Sequence, residues 1–476
     1  MNYRNALDFI YSFSDFERNG TFSRTEDPQF TRFRALMRLL NNPQNTYPAI
    51  HIAGTKGKGS VSALIESALR ANDYQTGLYT SPDLHTMRER IRIQGQPISE
   101  EETCELAEEV QAAIARMPEA LSSALITFEI ITAMAFLAFA KRHVTIAIIE
   151  TGLGGRLDPT NSIQPLLCII TSISYDHMAV LGKTIRQIAR EKAGIIKDNG
   201  VVIVSAEHPE ALEVIDKTAK DHAAQIIHIA SASNKTFDPQ IYTYPEQEYT
   251  IYKENGRFYQ EFQITHTGQS IPCKVPLLGA HQRQNTCAAL AAIHTLDVKG
   301  FPVKADRTAL GFAAVQWPAR LQLAGENPLI FIDGAHNADS LQKTLQTISK
   351  DIPYRRMHIL LGTLKDKDIA GMAQVLQQEQ VRLHSLVICG GFSPRAAPAE
   401  LWQEHLANEL TAAQINIQFT DSFETALLMA EEIAQPEDLV LITGSLYLAA
   451  AALLRIAATR KDPVAASITI YGQDHV

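Results

Sequence analysis

The chain has 476 residues, 46% hydrophobic and 20% charged, enough for large cores and, at roughly 100–200 residues per domain, for two or three domains. Lysine and arginine number 43 against 52 acidic residues, a formal charge of −9; the whole-chain field repels polyanions and excludes nucleic acid as the expected partner. Any phosphate site must then be local. Cys104, Cys168, Cys273, Cys287 and Cys389 lack the short paired spacing of a zinc site or a disulfide framework and read as free thiols of a reducing compartment.

The opening stretch MNYRNALDFIYSFSDFERNG mixes charge into its apolar residues and has no signal-peptide core. The apolar run Ala133 to Ala140 stops at Lys141, too short to span a bilayer. The expected setting is the cytoplasm, with no membrane partner.

The first strong element is the apolar run Ala49 to Ala53, a strand candidate leading into HIAGTKGKGS and then the amphipathic pattern VSALIESALRA. Glycines let the backbone wrap a phosphate chain, amides at a helix start point towards it, and Lys58 adds positive charge. Gly57, Lys58, Gly59 and Ser60 are therefore read as a nucleotide site. The standard P-loop spacing is missed, because Ile52 stands where the first glycine would be.

Further strand candidates follow: Ile146 to Ile149 ending at Glu150, Leu166 to Ile170 ending near Thr171, and Val201 to Val204 ending at Ser205. Glu150 would emerge at the sheet edge near the phosphates, and magnesium prefers such oxygen ligands. His177 also follows a strand, where a structural histidine and a ligand are both open readings. In TIRQIAREKAGIIK, Ile185, Ile188, Ala189 and Lys192 share one helix face. An inward lysine must meet a carboxylate or phosphate, lose its charge by modification, or snorkel at the helix edge.

From about Ile226 to Val275 polar and apolar residues alternate, with a hairpin signal at Glu254-Asn255-Gly256, so a small antiparallel subdomain is expected. A composition shift around Pro318 places a domain boundary close to Gln316, giving residues 1–315 and 316–476. Beyond it Leu329 to Ile332, Met357 to Leu361, Leu386 to Cys389 and Leu439 to Thr443 resume the strand-helix rhythm. The fold class is α/β: an N-terminal P-loop-type ATP-binding domain with a mostly parallel sheet, then a C-terminal Rossmann-like domain whose strand ends line a crevice.

Assembled in order, HIAGTKGKGS, TSPDLHTMRERI, ETGLGGRLDPTN, YDHMAVLGKTIRQIAREKAGIIK, LLGAHQRQN, WPARLQ and DGAHNADS resemble the bacterial folylpolyglutamate synthase and dihydrofolate synthase family of Mur-type ligases across nearly the whole chain. The resemblance implies an ATP-dependent ligase that adds L-glutamate to a folate or pteroate carboxylate through an acyl phosphate. It implies magnesium at Ser81, Glu150 and His177, and a carbamate on Lys192. ATP contacts would come from the glycine-rich loop, Asn285, Arg320 and Asp333, placing ATP between the domains. His336 would lie near the reacting groups, or else make a structural hydrogen bond at a helix start.

Phe128, Glu129, Leu157 and Asp158 fall where the family contacts its pterin-bearing substrate, although Asp158 can equally cap the Pro-Thr-Asn turn. Lys56 stands where the family commonly has asparagine, and Ala319 where it has glycine. Thr127 sits one place away from the family's Thr-x-Phe-Glu spacing and is not carried over. A Mur-type ligase for another carboxylate and amino acid, and a non-catalytic ATP-dependent switch, are the competing readings. Only 53 residues precede Gly54, short for a nucleotide-sugar domain, and strand-end polar clusters in both halves favour a catalyst. A monomer is expected, since two packed domains of one chain complete the site.

Overall fold

The computed structural model describes residues 1–15, 31–233, 241–378, 383–406 and 415–459. Strand β1 (Ala49–Ala53) is buried at every residue, as a run covered by helices on both sheet faces must be. It has only parallel neighbours among the described residues: β5 (Ile146–Glu150) on one side and β6 (Leu167–Ile170) on the other. The parallel order extends past β5 to β2 (Thr76–Tyr79), and past β6 through β7 (Val201–Val204), β8 (Gln225–Ser231) and β9 (Ile241–Tyr244). Antiparallel β3 (Ile91–Ile93) and β4 (Gln96–Pro97) finish the β2 edge.

Beyond β9 come antiparallel β11 (Arg257–His266), β10 (Tyr249–Glu254) and β12 (Gln269–Val275). Asn255 and Gly256 make the two-residue turn joining β10 to β11, with φ of 49° and 74°, the left-handed pair that favours Asn-Gly. The expected antiparallel unit differs in two respects. Its first strand, β8, pairs in parallel with β7, and the antiparallel strands continue the large sheet rather than standing apart. Alternation along β8 reports one covered face, and that is silent about strand direction.

The helix Lys58–Ala71, starting where β1 ends, is buried from Ser60 to Leu69. Ser67 Oγ donates to the Gly311 carbonyl at 2.6 Å, tying this helix to Ala305–Ala314. From there residues 315–321 lead to a second, six-stranded sheet in the order β13 (Gln322–Glu326), β14 (Leu329–Ile332), β18 (Leu439–Thr443), β15 (Met357–Leu361), β16 (Leu383–Cys389), β17 (Asn416–Thr420). Among the described residues of this sheet only the β13–β14 pair is antiparallel.

The two sheets are joined by packing as well as by the chain. The Phe258 and Phe331 rings sit 5.6 Å apart, Tyr249 Oη donates to Asp351 Oδ1 at 2.7 Å, and Lys253 pairs with Glu326 at 2.8 Å. Among the described residues no helix is long and apolar enough to cross a membrane.

Candidate active site

The glycine-rich loop turns sharply between β1 and the helix Lys58–Ala71. Gly57 caps that helix at φ +88°, and a Cβ there would come within 2.5 Å of Asn285 Oδ1. A side chain is barred both by conformation and by space. At Gly59 a Cβ would stand 2.7 Å from Trp317 Cζ2. Asn285 and Trp317 thus wall the loop, and the open amides of the helix start face the space left over. Lys58 Nζ donates to the Gly54 carbonyl at 3.3 Å and lies 3.7 Å from Glu150 Oε1.

Glu150 ends β5 next to that loop and is 4% exposed. Burial pushes its carboxyl up to about 7, against the pull of Lys58, and the Ser81 amide donates to Oε2 at 3.3 Å. His177 adopts a left-handed backbone at φ 46° at the start of the short turn Met178–Leu181. Burial holds its imidazole below the ordinary value, opposed by Asp176, whose Oδ1 is 3.8 Å from Nε2.

The helix Ile185–Ala193 begins with a capping box between Thr184 and Gln187, and Ile185, Ile188, Ala189 and Lys192 are all buried, as the periodicity predicts. Lys192 is 4% exposed, which excludes snorkelling. Its Nζ donates to the Gly54 carbonyl at 2.7 Å rather than to a carboxylate. Burial and then the nearby Lys58 charge bring its ammonium down to about 7. Lys58 and Lys192 therefore converge on one carbonyl of the phosphate loop.

Gly59, Ser81, Glu150, Trp317, Arg320 and Leu446 line one crevice that is open to solvent. Arg320 is held by its own neighbour, Nη1 donating to the Ala319 carbonyl at 2.9 Å, and its charge reaches Glu150. Ala319 is left-handed, φ 56°, which accounts physically for a glycine preference at this place.

Asp333, at the end of β14, accepts from the Leu321 amide at 2.9 Å, the Ala335 amide at 3.0 Å and Thr344 Oγ1 at 2.8 Å. Its carboxylate holds the linker and the following loop in place. His336 Nδ1 lies 3.0 Å from the Gly334 carbonyl, the structural hydrogen bond weighed above, and burial lowers its titration.

Of the four residues matched to a pterin contact, Phe128, Leu157 and Asp158 gather at the loop after β5. The Phe128 ring fills the space beside Gly152, where a Cβ would come within 2.4 Å of Cζ, and Leu157 packs on the same apolar cluster. Asp158 accepts from the Thr160 amide at 3.0 Å and the Leu153 amide at 2.9 Å, so the turn-capping alternative is realised. Glu129 accepts from Arg32 Nε at 2.9 Å and the Ile126 amide at 3.0 Å, closing the start of the helix Thr127–Lys141. Thr127, not carried over, donates inward to the Phe13 carbonyl at 3.0 Å.

Among the crevice residues that escaped the sequence reading are Trp317, Arg92 and Leu446. The Arg92 guanidinium sits 5.8 Å from the Trp317 ring, and its Nε donates to the Glu89 carbonyl at 3.0 Å. Trp317 lies in WPARLQ and Arg92 directly follows TSPDLHTMRERI, but nothing in either motif says that they meet.

Residues 52–293 match the Mur ligase middle domain, and residues 319–446 match the Mur ligase glutamate ligase domain. A dihydrofolate synthase/folylpolyglutamate synthase of Bacillus subtilis is 35% identical over 424 residues, covering 88% of this chain and 93% of the relative. The chain belongs to the dihydrofolate synthase and folylpolyglutamate synthase family of Mur-type ligases. A folylpolyglutamate synthase of Lacticaseibacillus casei is 32% identical, covering 95% of this chain and 98% of the relative. Among solved structures, Mycobacterium tuberculosis folylpolyglutamate synthase complexed with ADP superposes with a TM-score of 0.81 at 30% identity, over 96% of this chain and 99% of that one. An Escherichia coli family member in complex with DHPP and ADP gives 0.77 at 28% identity, over 97% of this chain and 99% of the other.

Proposed function

We propose that this enzyme uses ATP to join the amine of L-glutamate to a folate- or pteroate-type carboxylate. The observation that carries the reading is the convergence of Lys58, Glu150 and Arg320 on a crevice between the two sheets, in a chain of this family. A carboxylate is a poor acyl donor, so its oxygen first takes the γ-phosphoryl group, giving an acyl phosphate and ADP. Lys58 and Arg320 offset the charge spread over the transferring group. The glutamate nitrogen then attacks the acyl carbon, phosphate leaves, and the nitrogen gives up a proton.

The residues fit magnesium: Glu150 supplies a hard carboxylate donor at the phosphate loop, Ser81 a hydroxyl, and His177 stands on the neighbouring loop, which suits an ion that takes few protein ligands and shares phosphate oxygens. When bound, the ion neutralises phosphate charge. Lys192, brought down to about 7, is a neutral amine in a large share of molecules near neutral pH. Its neutral nitrogen can form a bond to carbon dioxide with release of one proton, turning the buried amine into an anionic carbamate beside Lys58. Asn285 and Asp333 shape the nucleotide site at its two ends, Asp333 through the linker amide it holds.

Residues 1–315 and 316–476 act as the two domains, and the enzyme works as a cytoplasmic monomer on small molecules, without nucleic acid or membrane. Support comes from a crevice to which both halves of the chain contribute residues, five free cysteines and a net charge of −9. The test supplies ATP, magnesium and labelled glutamate with dihydropteroate or tetrahydrofolate in separate reactions, following ADP and labelled product. Product in either reaction is expected and identifies the acceptor; no incorporation in both refutes the reading.

A further inference from the structure

Lys56 belongs to the phosphate loop, yet its side chain leaves the first half of the molecule. Nζ lies 2.9 Å from Asn337 Oδ1 and 2.5 Å from Asp339 Oδ2, both at the start of the helix Ala338–Asp351 in the second half. The lysine's own backbone is fixed, paired to Ser172 as an isolated bridge, with Ser172 Oγ donating to the Lys56 carbonyl at 3.2 Å. The receiving end is fixed as well. Asn337 caps its helix by accepting from the Ser340 amide at 3.0 Å, and the amide of the adjoining His336 donates to Ser340 Oγ at 3.2 Å. One side chain therefore ties the loop that faces the nucleotide to the segment that carries His336. An asparagine in its place would be too short to span the gap.

We propose that Lys56 is a positioning residue, a latch that holds the His336 segment against the phosphate loop while the acyl phosphate exists. The inference rests on the ligase reading above. An acyl phosphate passes its acyl group either to the glutamate amine, giving amide, or to water, giving back the carboxylate, and phosphate leaves in both cases. Both routes consume one ATP, but only the first makes product, so a loosened latch shows as ADP formed without amide.

The pair is partly exposed, at 24% and 50% for the two side chains, so the fold survives its loss. The variants are Lys56→Met, Asp339→Asn, Lys56→Arg and the reversed pair Lys56→Asp with Asp339→Lys. ADP and amide are counted together at saturating substrates, with ATP KM measured alongside.

Wild type is expected to form one ADP per amide. Lys56→Met and Asp339→Asn raise the ratio severalfold, up to about fivefold for a pair of this exposure. Lys56→Arg and the reversed pair bring the ratio back towards one. A ratio of one in both neutral variants, with only ATP KM changed, overturns the latch and makes Lys56 a simple nucleotide contact. Absence of amide from the wild type overturns the ligase reading instead, and the latch with it.

Discussion

Replacing Lys192 by methionine keeps most of the side chain's reach and removes a charge that the fold buries. The gap between the ordinary lysine value of 10.5 and about 7 in the folded chain corresponds to about 5 kcal/mol, an upper bound on the cost of keeping the ammonium inside. Below about pH 7 both folded and unfolded chains carry the proton and that cost is fully present. Between about 7 and 10.5 the unfolded chain holds one proton more than the folded chain, so wild-type stability rises with pH by at most about 1.4 kcal/mol per pH unit. Methionine loses the hydrogen bond to the Gly54 carbonyl, which costs about 1–3 kcal/mol.

The variant should then be more stable than wild type by about 2–4 kcal/mol at pH 6, with the advantage vanishing by about pH 10. Urea unfolding of both proteins in buffer purged of carbon dioxide, at several pH values, measures the difference directly. Equal stabilities at pH 6, or a gap that does not change with pH, would refute the argument. Ligase activity should be lost in the variant throughout.

Gly59→Ala sets a methyl against the Trp317 ring, 2.7 Å from Cζ2, and pushes the ring into the crevice; ATP KM should rise at least about tenfold while the melting temperature moves by only a few degrees. Arg283 is 1% exposed and donates to the Pro245 and Glu246 carbonyls and to Gln260 Oε1. Arg283→Met leaves those acceptors buried without donors and should cost about 3–5 kcal/mol in urea unfolding.

Much of the fold could be read from the chain because its strands are short apolar runs with polar ends. Ala49 to Ala53, Val201 to Val204, Met357 to Leu361 and Leu439 to Thr443 all fall on strands with those bounds. Lys192 was half legible: the 3.6-residue repeat put it on the buried face, but only the structure decided between burial and snorkelling at the helix edge. What escaped were pairings between distant segments. Periodicity says which face of an element is covered and nothing about what covers it, so Trp317 against Gly59 and Lys56 against Asp339 had no signal. Motif matching is equally silent about a side chain's partners. Glu129 and Asp158 sit in the expected stretch, but their carboxylates are occupied by Arg32 and by backbone amides.

The contact of Phe258 with Phe331 also bears on how the molecule can be divided. Phe258 and Leu278 come from the N-terminal side of residues 315–321 yet belong to the apolar cluster that contains Phe331, Leu341 and Leu441. Cutting the gene at the apparent junction would strip that cluster of two members and leave oily surface on the shorter fragment. A split version of the enzyme, or a graft of its C-terminal half onto another scaffold, would need the β10–β12 ribbon and the following residues through Leu278 carried with it.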